Sequence, residues 1–148
     1  HRMLPEALDA AGIHGPAVAQ LLREGWVETE SGRVTVGEVS EPRVPQSFAW
    51  IMDTRACDTA IMLAQEADLV VCESTYLTAE HHLAADYGHL TAAQAASIAA
   101  TARARRLVLT HYSQRYPDVS VLADEARTTF PDVVAAEDLT WHEVPHRR

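Results

Sequence analysis

Three residues in the middle of the chain have types and positions suited to hydrolytic metal chemistry: Asp53, Glu73 and His111. Each follows a short apolar run. Phe48-Ala49-Trp50-Ile51-Met52 leads into Asp53-Thr54, Leu69-Val70-Val71-Cys72 into Glu73-Ser74-Thr75, and Leu107-Val108-Leu109 into Thr110-His111. As parallel neighbours these strands would end on one rim, and ligands of open α/β sheets bind beyond the carboxyl ends of the strands. A carboxylate and an imidazole on such a rim suit zinc or another first-row metal. Plainer roles stand beside this one. Asp53 or Thr54 can cap the helix that follows, Glu73-Ser74-Thr75 can be an ordinary loop, and His111 can be structural. Composition and spacing leave both sets of roles open.

The surrounding elements alternate as a βα chain should. Pro5 to Leu22 has helical spacing interrupted at Gly12-Ile13-His14-Gly15, and Pro16 suits the first position of a second helix. Trp26-Val27-Glu28-Thr29 and Arg33-Val34-Thr35-Val36 flank a turn and read as a hairpin. Glu41-Pro42-Arg43-Val44-Pro45 is a stiff connector. Beyond it the pattern predicts a helix over Ala56–Ala67, a helix after Thr91 with Thr91 and Gln94 at capping-box spacing, a helix over Val119–Thr129, and short strands at Val133–Ala135 and Thr140–Val144.

Composition narrows the class. With 148 residues, 47% of them hydrophobic, the chain is long enough for one domain with a real core. No apolar run nears the roughly 20 residues of a membrane span, and the N-terminal residues have no apolar signal-peptide core. Cys57 and Cys72 lack metal-knuckle or disulfide-framework spacing and read as reduced cytoplasmic thiols. A net charge of −9, with no lysine at all, excludes a broadly basic nucleic-acid binder, so a nucleic-acid role must rest on a local patch or a metal centre.

Two histidine motifs carry less than they suggest. His142-Glu143-Val144-Pro145-His146 spells the zinc-protease pattern, but that pattern needs a helix, and Pro145 with strand-like neighbours argues against one. His81-His82 point about 100° apart on a helix and read as a solvated face.

Five segments in order carry a family resemblance: Met52-Asp53-Thr54, Cys72-Glu73-Ser74-Thr75, Tyr87-Gly88-His89-Leu90-Thr91, Leu109-Thr110-His111-Tyr112-Ser113-Gln114-Arg115-Tyr116 and Ala136-Glu137-Asp138-Leu139. Together they resemble the C-terminal half of ribonuclease Z, the zinc-dependent tRNA 3′-processing endoribonuclease family of the metallo-β-lactamase superfamily. The resemblance implies an α/β fold, the C-terminal half of an αβ/βα sandwich. Residues 1–46 would lead in as helices and hairpin, and residues 47–148 would form the metal-rim βα units.

The same resemblance implies roles. Asp53 would bridge two zinc ions and His111 would ligate one of them. His89 would protonate the leaving oxygen, with Glu73 as the acidic member of a His-Glu-Ala-Thr loop in which Cys72 and Ser74 replace two family residues. Thr75, Thr91, Ser113 and Arg115 would contact substrate, and Asp138 would support the neighbouring loop. Metal-activated hydroxide would then cut the 3′ trailer from precursor tRNA and leave a tRNA 3′-hydroxyl. The H-x-H-x-D-H signature is absent from these 148 residues, so the segment is expected to need the N-terminal half of the fold and to be inactive alone. A cytoplasmic homodimer is the expected assembly. Another phosphodiesterase or aryl-ester hydrolase of the same fold, or a non-catalytic interaction domain, is the alternative.

Overall fold

The structure is a computed structural model and describes residues 1–146. The chain divides into two compact units, His1–Pro45 and Gln46–Arg148.

The first unit contains β1 (Arg2–Met3), α1 (Pro5–Ala10), α2 (Pro16–Glu24), β2 (Trp26–Thr29), β3 (Gly32–Thr35) and β4 (Ser40–Glu41). Both helices begin on proline, whose missing N–H costs nothing in a first turn. Gly25 ends α2 in a left-handed conformation at φ 82°. β2 and β3 form the expected hairpin, in register Trp26 with Thr35, while β1 pairs with β4. Ile13, Leu21, Val27 and Val39 form a small buried core.

The second unit carries the rim. Its elements are β5 (Phe48–Ile51), α3 (Asp58–Ala64), β6 (Leu69–Glu73), α4 (His81–Tyr87), α5 (Ala92–Thr101), β7 (Leu107–Thr110), α6 (Ser120–Arg127) and β8 (Val133–Ala135). The four strands lie in the order β5-β6-β7-β8, all parallel, with Ile51 beside Cys72 and Cys72 beside Leu109. One face presents Ala49, Ile51, Val70, Cys72, Leu107 and Leu109 to a core completed by alanines of α3, α5 and α6. Small side chains let helices approach the sheet closely, and the Thr91–Gln94 capping box starts α5 where the spacing predicts. The opposite face is apolar as well. Phe48 and Trp50 are 62% and 59% exposed there, beside Val71 and Val108 and a cavity of about 370 Å³ also lined by Thr140, His142 and Val144.

The expected strand at Thr140–Val144 is not formed. At its end and just beyond, side chains take the backbone carbonyls: Gln46 Nε2 donates to Val144 and Pro145, and Arg105 donates to His146. His142 and His146 therefore sit on irregular backbone, and the helical zinc pattern is excluded. α3 is shorter than the Ala56–Ala67 expectation. α4, which hydropathy does not delimit, holds His81 and His82 on an exposed face. Among the described residues no helix is long and apolar enough to cross a membrane.

Candidate metal centre

The carboxyl ends of β5, β6 and β7 converge, as parallel pairing requires. Asp53 and His111 do not end adjacent strands, since β6 lies between β5 and β7. They meet across it, with Asp53 Oδ1 3.2 Å from His111 Nε2. Both residues have left-handed backbone, φ 48° and 58°. That conformation is uncommon for any residue with a Cβ, and it turns each chain sharply just past its strand. Asp53 does not cap the following helix, because the N-cap of α3 is Cys57.

Glu73 ends β6 beneath this pair and is completely buried. Its carboxylate accepts from the Thr54 N–H, the Thr75 hydroxyl at 2.7 Å, His89 Nδ1 at 3.1 Å and the Leu90 N–H at 3.1 Å. A buried carboxylate surrounded by donors satisfies the rule that buried charge must be paired. Among the described residues, no buried side-chain nitrogen or oxygen lacks a partner.

These contacts settle the imidazole tautomers. The single Thr75 proton goes to Glu73, so its oxygen must accept from His111 Nδ1, 3.0 Å away. Glu73 can only accept, so His89 Nδ1 must carry a proton too. Each neutral ring therefore keeps its lone pair on Nε2. At His111 that lone pair faces the Asp53 carboxylate, two acceptors 3.2 Å apart. Only a proton or a cation between them makes this arrangement favourable. Ligand atoms of Asp53, His89 and His111 all lie within 4.8 Å of one another. Two imidazoles pinned through Nδ1 beside a carboxylate form a donor set that fits a divalent first-row cation.

His89 reaches the centre through long-range contacts. Gly88 ends α4 at φ 77°, and the His89 N–H then returns to the Ala84 carbonyl. A parallel bridge between Tyr76 and Thr91 holds the 88–91 stretch beside the end of β6. The His89 ring lies 5.2 Å from that of His111 and edge-on to Tyr76 at 6.3 Å.

The remaining expected site residues divide. Arg115 is exposed, with its guanidinium carbon 5.3 Å from the Tyr76 ring centre and its Nε donating to Ser113 Oγ. Ser113 thus orients Arg115. Thr75 is buried between Glu73 and His111, and its hydroxyl bonds to both. Thr91 is 2% exposed and its hydroxyl caps α5. Asp138 is exposed and makes no side-chain hydrogen bond among the described residues, so the expected support of a neighbouring loop is not seen. Sequence reasoning missed Tyr116 and Glu125. The Tyr116 hydroxyl accepts from the Leu77 N–H and donates to Glu80, while Glu125 accepts from the Thr78 and Ala93 N–H groups. The Ser113-Gln114-Arg115-Tyr116 run was a visible signal for the tyrosine; Glu125 had none. Burial, and then the Glu73 charge, push the adjacent Cys72 thiol up to about 12, so it stays protonated.

The family model described as "Beta-lactamase superfamily domain" matches residues 16–112. Ribonuclease Z of Salinispora arenicola is 57% identical over 99% of this chain and 48% of its own length. Ribonuclease Z of Chlamydia trachomatis serovar D is 38% identical over 97% of the chain and 47% of its own length. The chain thus spans about half the length of these relatives and corresponds to their C-terminal half. Among solved structures, the short form of human tRNase Z superposes with TM-score 0.55 at 34% identity, covering 72% of this chain and 37% of that one. The metallo-β-lactamase fold protein YhfI from Bacillus subtilis superposes with TM-score 0.56 at 27% identity, covering 61% and 36%. Parallel sheet, rim chemistry and matched residues agree, and the chain belongs to the β-lactamase superfamily, with the metallo-β-lactamase fold.

Proposed function

We propose that this chain supplies the C-terminal half of a zinc-dependent endoribonuclease that removes the 3′ trailer from precursor tRNA. The observation that carries the reading is the gathering of His89 and His111, each bonded at Nδ1, within 4.8 Å of the Asp53 carboxylate, with His111 Nε2 facing it directly. The ribonuclease Z relatives favour this substrate over those of other hydrolases with the same fold.

In this reading Asp53 and His111 hold metal, together with ligands from the N-terminal half. Zinc suits imidazole and carboxylate donors, and when bound it would polarise a phosphodiester oxygen and activate water. The chain's own residues do the rest. Glu73 orients His89 and offsets the ring's charge when Nε2 also carries a proton. His89 then delivers that proton to the departing 3′ oxygen as the P–O bond breaks, leaving a 3′-hydroxyl on the tRNA. Thr75 holds His111 in its ligating tautomer, and Ser113 and Tyr76 steady Arg115 for phosphate. A cytoplasmic homodimer is the assembly this reading implies, in keeping with two free thiols.

The test is precursor-tRNA cleavage by this chain co-expressed with an N-terminal half. Single cuts leaving a 3′-hydroxyl, abolished by chelator and restored by zinc, are expected. Hydrolysis of small phosphodiesters or aryl esters without any tRNA cleavage would overturn the substrate assignment.

A further inference from the structure

The second unit has six described arginines, and four of them are paired: Arg103 with Glu66, Arg105 with Asp68, Arg106 with Asp132 and Arg127 with Asp124. The two without a carboxylate partner among the described residues are Arg115 and Arg55. Both stand at the metal-centre rim. Arg115 lies over Tyr76, whose ring meets His89 edge-on. Arg55 follows Asp53 by two residues, is exposed, and places Nη2 3.5 Å from where a Cβ on Gly88 would be, next to His89. In a chain of net charge −9, carboxylates pair with the other four described guanidinium groups of this unit and leave these two available. An exposed arginine is ordinarily just solvated. Among the described arginines of this unit, the two without a carboxylate partner both stand beside the metal centre, and a guanidinium fork matches phosphate oxygens in pairs.

We propose that Arg55 binds an RNA backbone phosphate adjoining the scissile one, so that together with Arg115 it fixes the register of the strand over His89. This rests on the ribonuclease reading above and adds a residue to it. Arg55 takes no part in bond breaking. It positions the substrate through a contact that releases counterions from the RNA, which gives it a salt signature that a merely structural side chain lacks.

The test measures binding of precursor tRNA by fluorescence anisotropy, in chelator so that nothing is cleaved, between 50 and 200 mM salt. It compares wild type, Arg55→Ala, Arg55→Lys and Arg103→Ala, each co-expressed with an N-terminal half. Arg55→Ala should weaken binding about tenfold and lower the slope of log affinity against log salt by about one. Arg55→Lys, which keeps the charge but not the fork, should fall between wild type and Ala. Arg103→Ala removes an exposed ion pair with Glu66 and should stay within about twofold of wild type. If Arg55→Ala behaves like Arg103→Ala, or weakens binding with an unchanged salt slope, the inference is overturned while the ribonuclease reading stands. If wild type does not bind the RNA at all, the ribonuclease reading itself has failed, and this inference fails with it.

Discussion

Glu73→Ala is the substitution that tests the centre's architecture most directly. The carboxylate gathers four donors, two of which, the Thr75 hydroxyl and the Leu90 N–H, are buried. A stranded buried donor costs about 1–3 kcal/mol, and truncating a buried charged partner commonly costs about 3–5 kcal/mol. Relief of the carboxylate's own desolvation offsets part of this, so a loss of about 3 kcal/mol is expected in urea unfolding. Glu73→Gln keeps the volume and one acceptor oxygen but turns an amide NH2 toward donors, and should cost roughly half as much. The imidazoles supply an independent readout. Nitrogen-15 shifts should report His89 held as the Nδ1–H tautomer in the native protein and released to a mixture in Glu73→Ala. A cost below about 1 kcal/mol, or an unchanged His89 tautomer, would refute the network as drawn.

Asp53→Ala and His111→Ala should each lower bound zinc, measured by metal analysis of the co-expressed halves. His89→Ala should keep zinc and lose about a hundredfold or more in turnover, and loss of its zinc would make His89 a ligand instead. Expressed alone, the chain should self-associate through the face bearing Phe48 and Trp50, and co-expression with the N-terminal half should restore a defined species in sedimentation. Alkylation at neutral pH should modify Cys57, whose thiol is lowered by hydrogen bonds from Thr59, the Ala60 N–H and Thr54, and should spare buried Cys72. Because the Cys72 thiol is raised to about 12 when folded, the unfolded chain ionises first as pH climbs. Cys72 should therefore lower stability by about 1.4 kcal/mol per unit between about pH 9 and 12, and Cys72→Ala should remove that contribution, leaving above pH 10 the like contribution of Tyr112, which is also raised to about 12.

Much of this site was legible because strands announce themselves locally. The apolar runs before Asp53, Glu73 and His111 are the strands β5, β6 and β7, and the Thr91–Gln94 spacing marks the start of α5. What local pattern cannot carry is who meets whom across the rim. The Asp53–His111 contact passes over β6, and His89 arrives at the end of an excursion closed by the Tyr76–Thr91 bridge. Nor does the sequence reveal that Thr75 and Thr91 are buried. The Thr75 hydroxyl bonds to Glu73 and His111, and the Thr91 hydroxyl accepts from the Gln94 N–H. The strand read at Thr140–Val144 has β-like composition, but its end is held by the Gln46 side chain and not by a ladder.

The left-handed backbone at Asp53 and His111 sets stability against purpose. A side chain in that conformation costs about 1–2 kcal/mol relative to one that fits, and glycine would relieve most of it. Selection for heat resistance alone would therefore favour glycine at the two positions where the proposed metal ligands stand, yielding a sturdier protein with an emptied rim. Any stabilised variant obtained by random mutagenesis should be sequenced at these two positions before its tolerance to heat is read as improvement. A lineage released from the need to hold metal would be expected to drift the same way, so glycine at either position would mark lost function before any ligand was inspected.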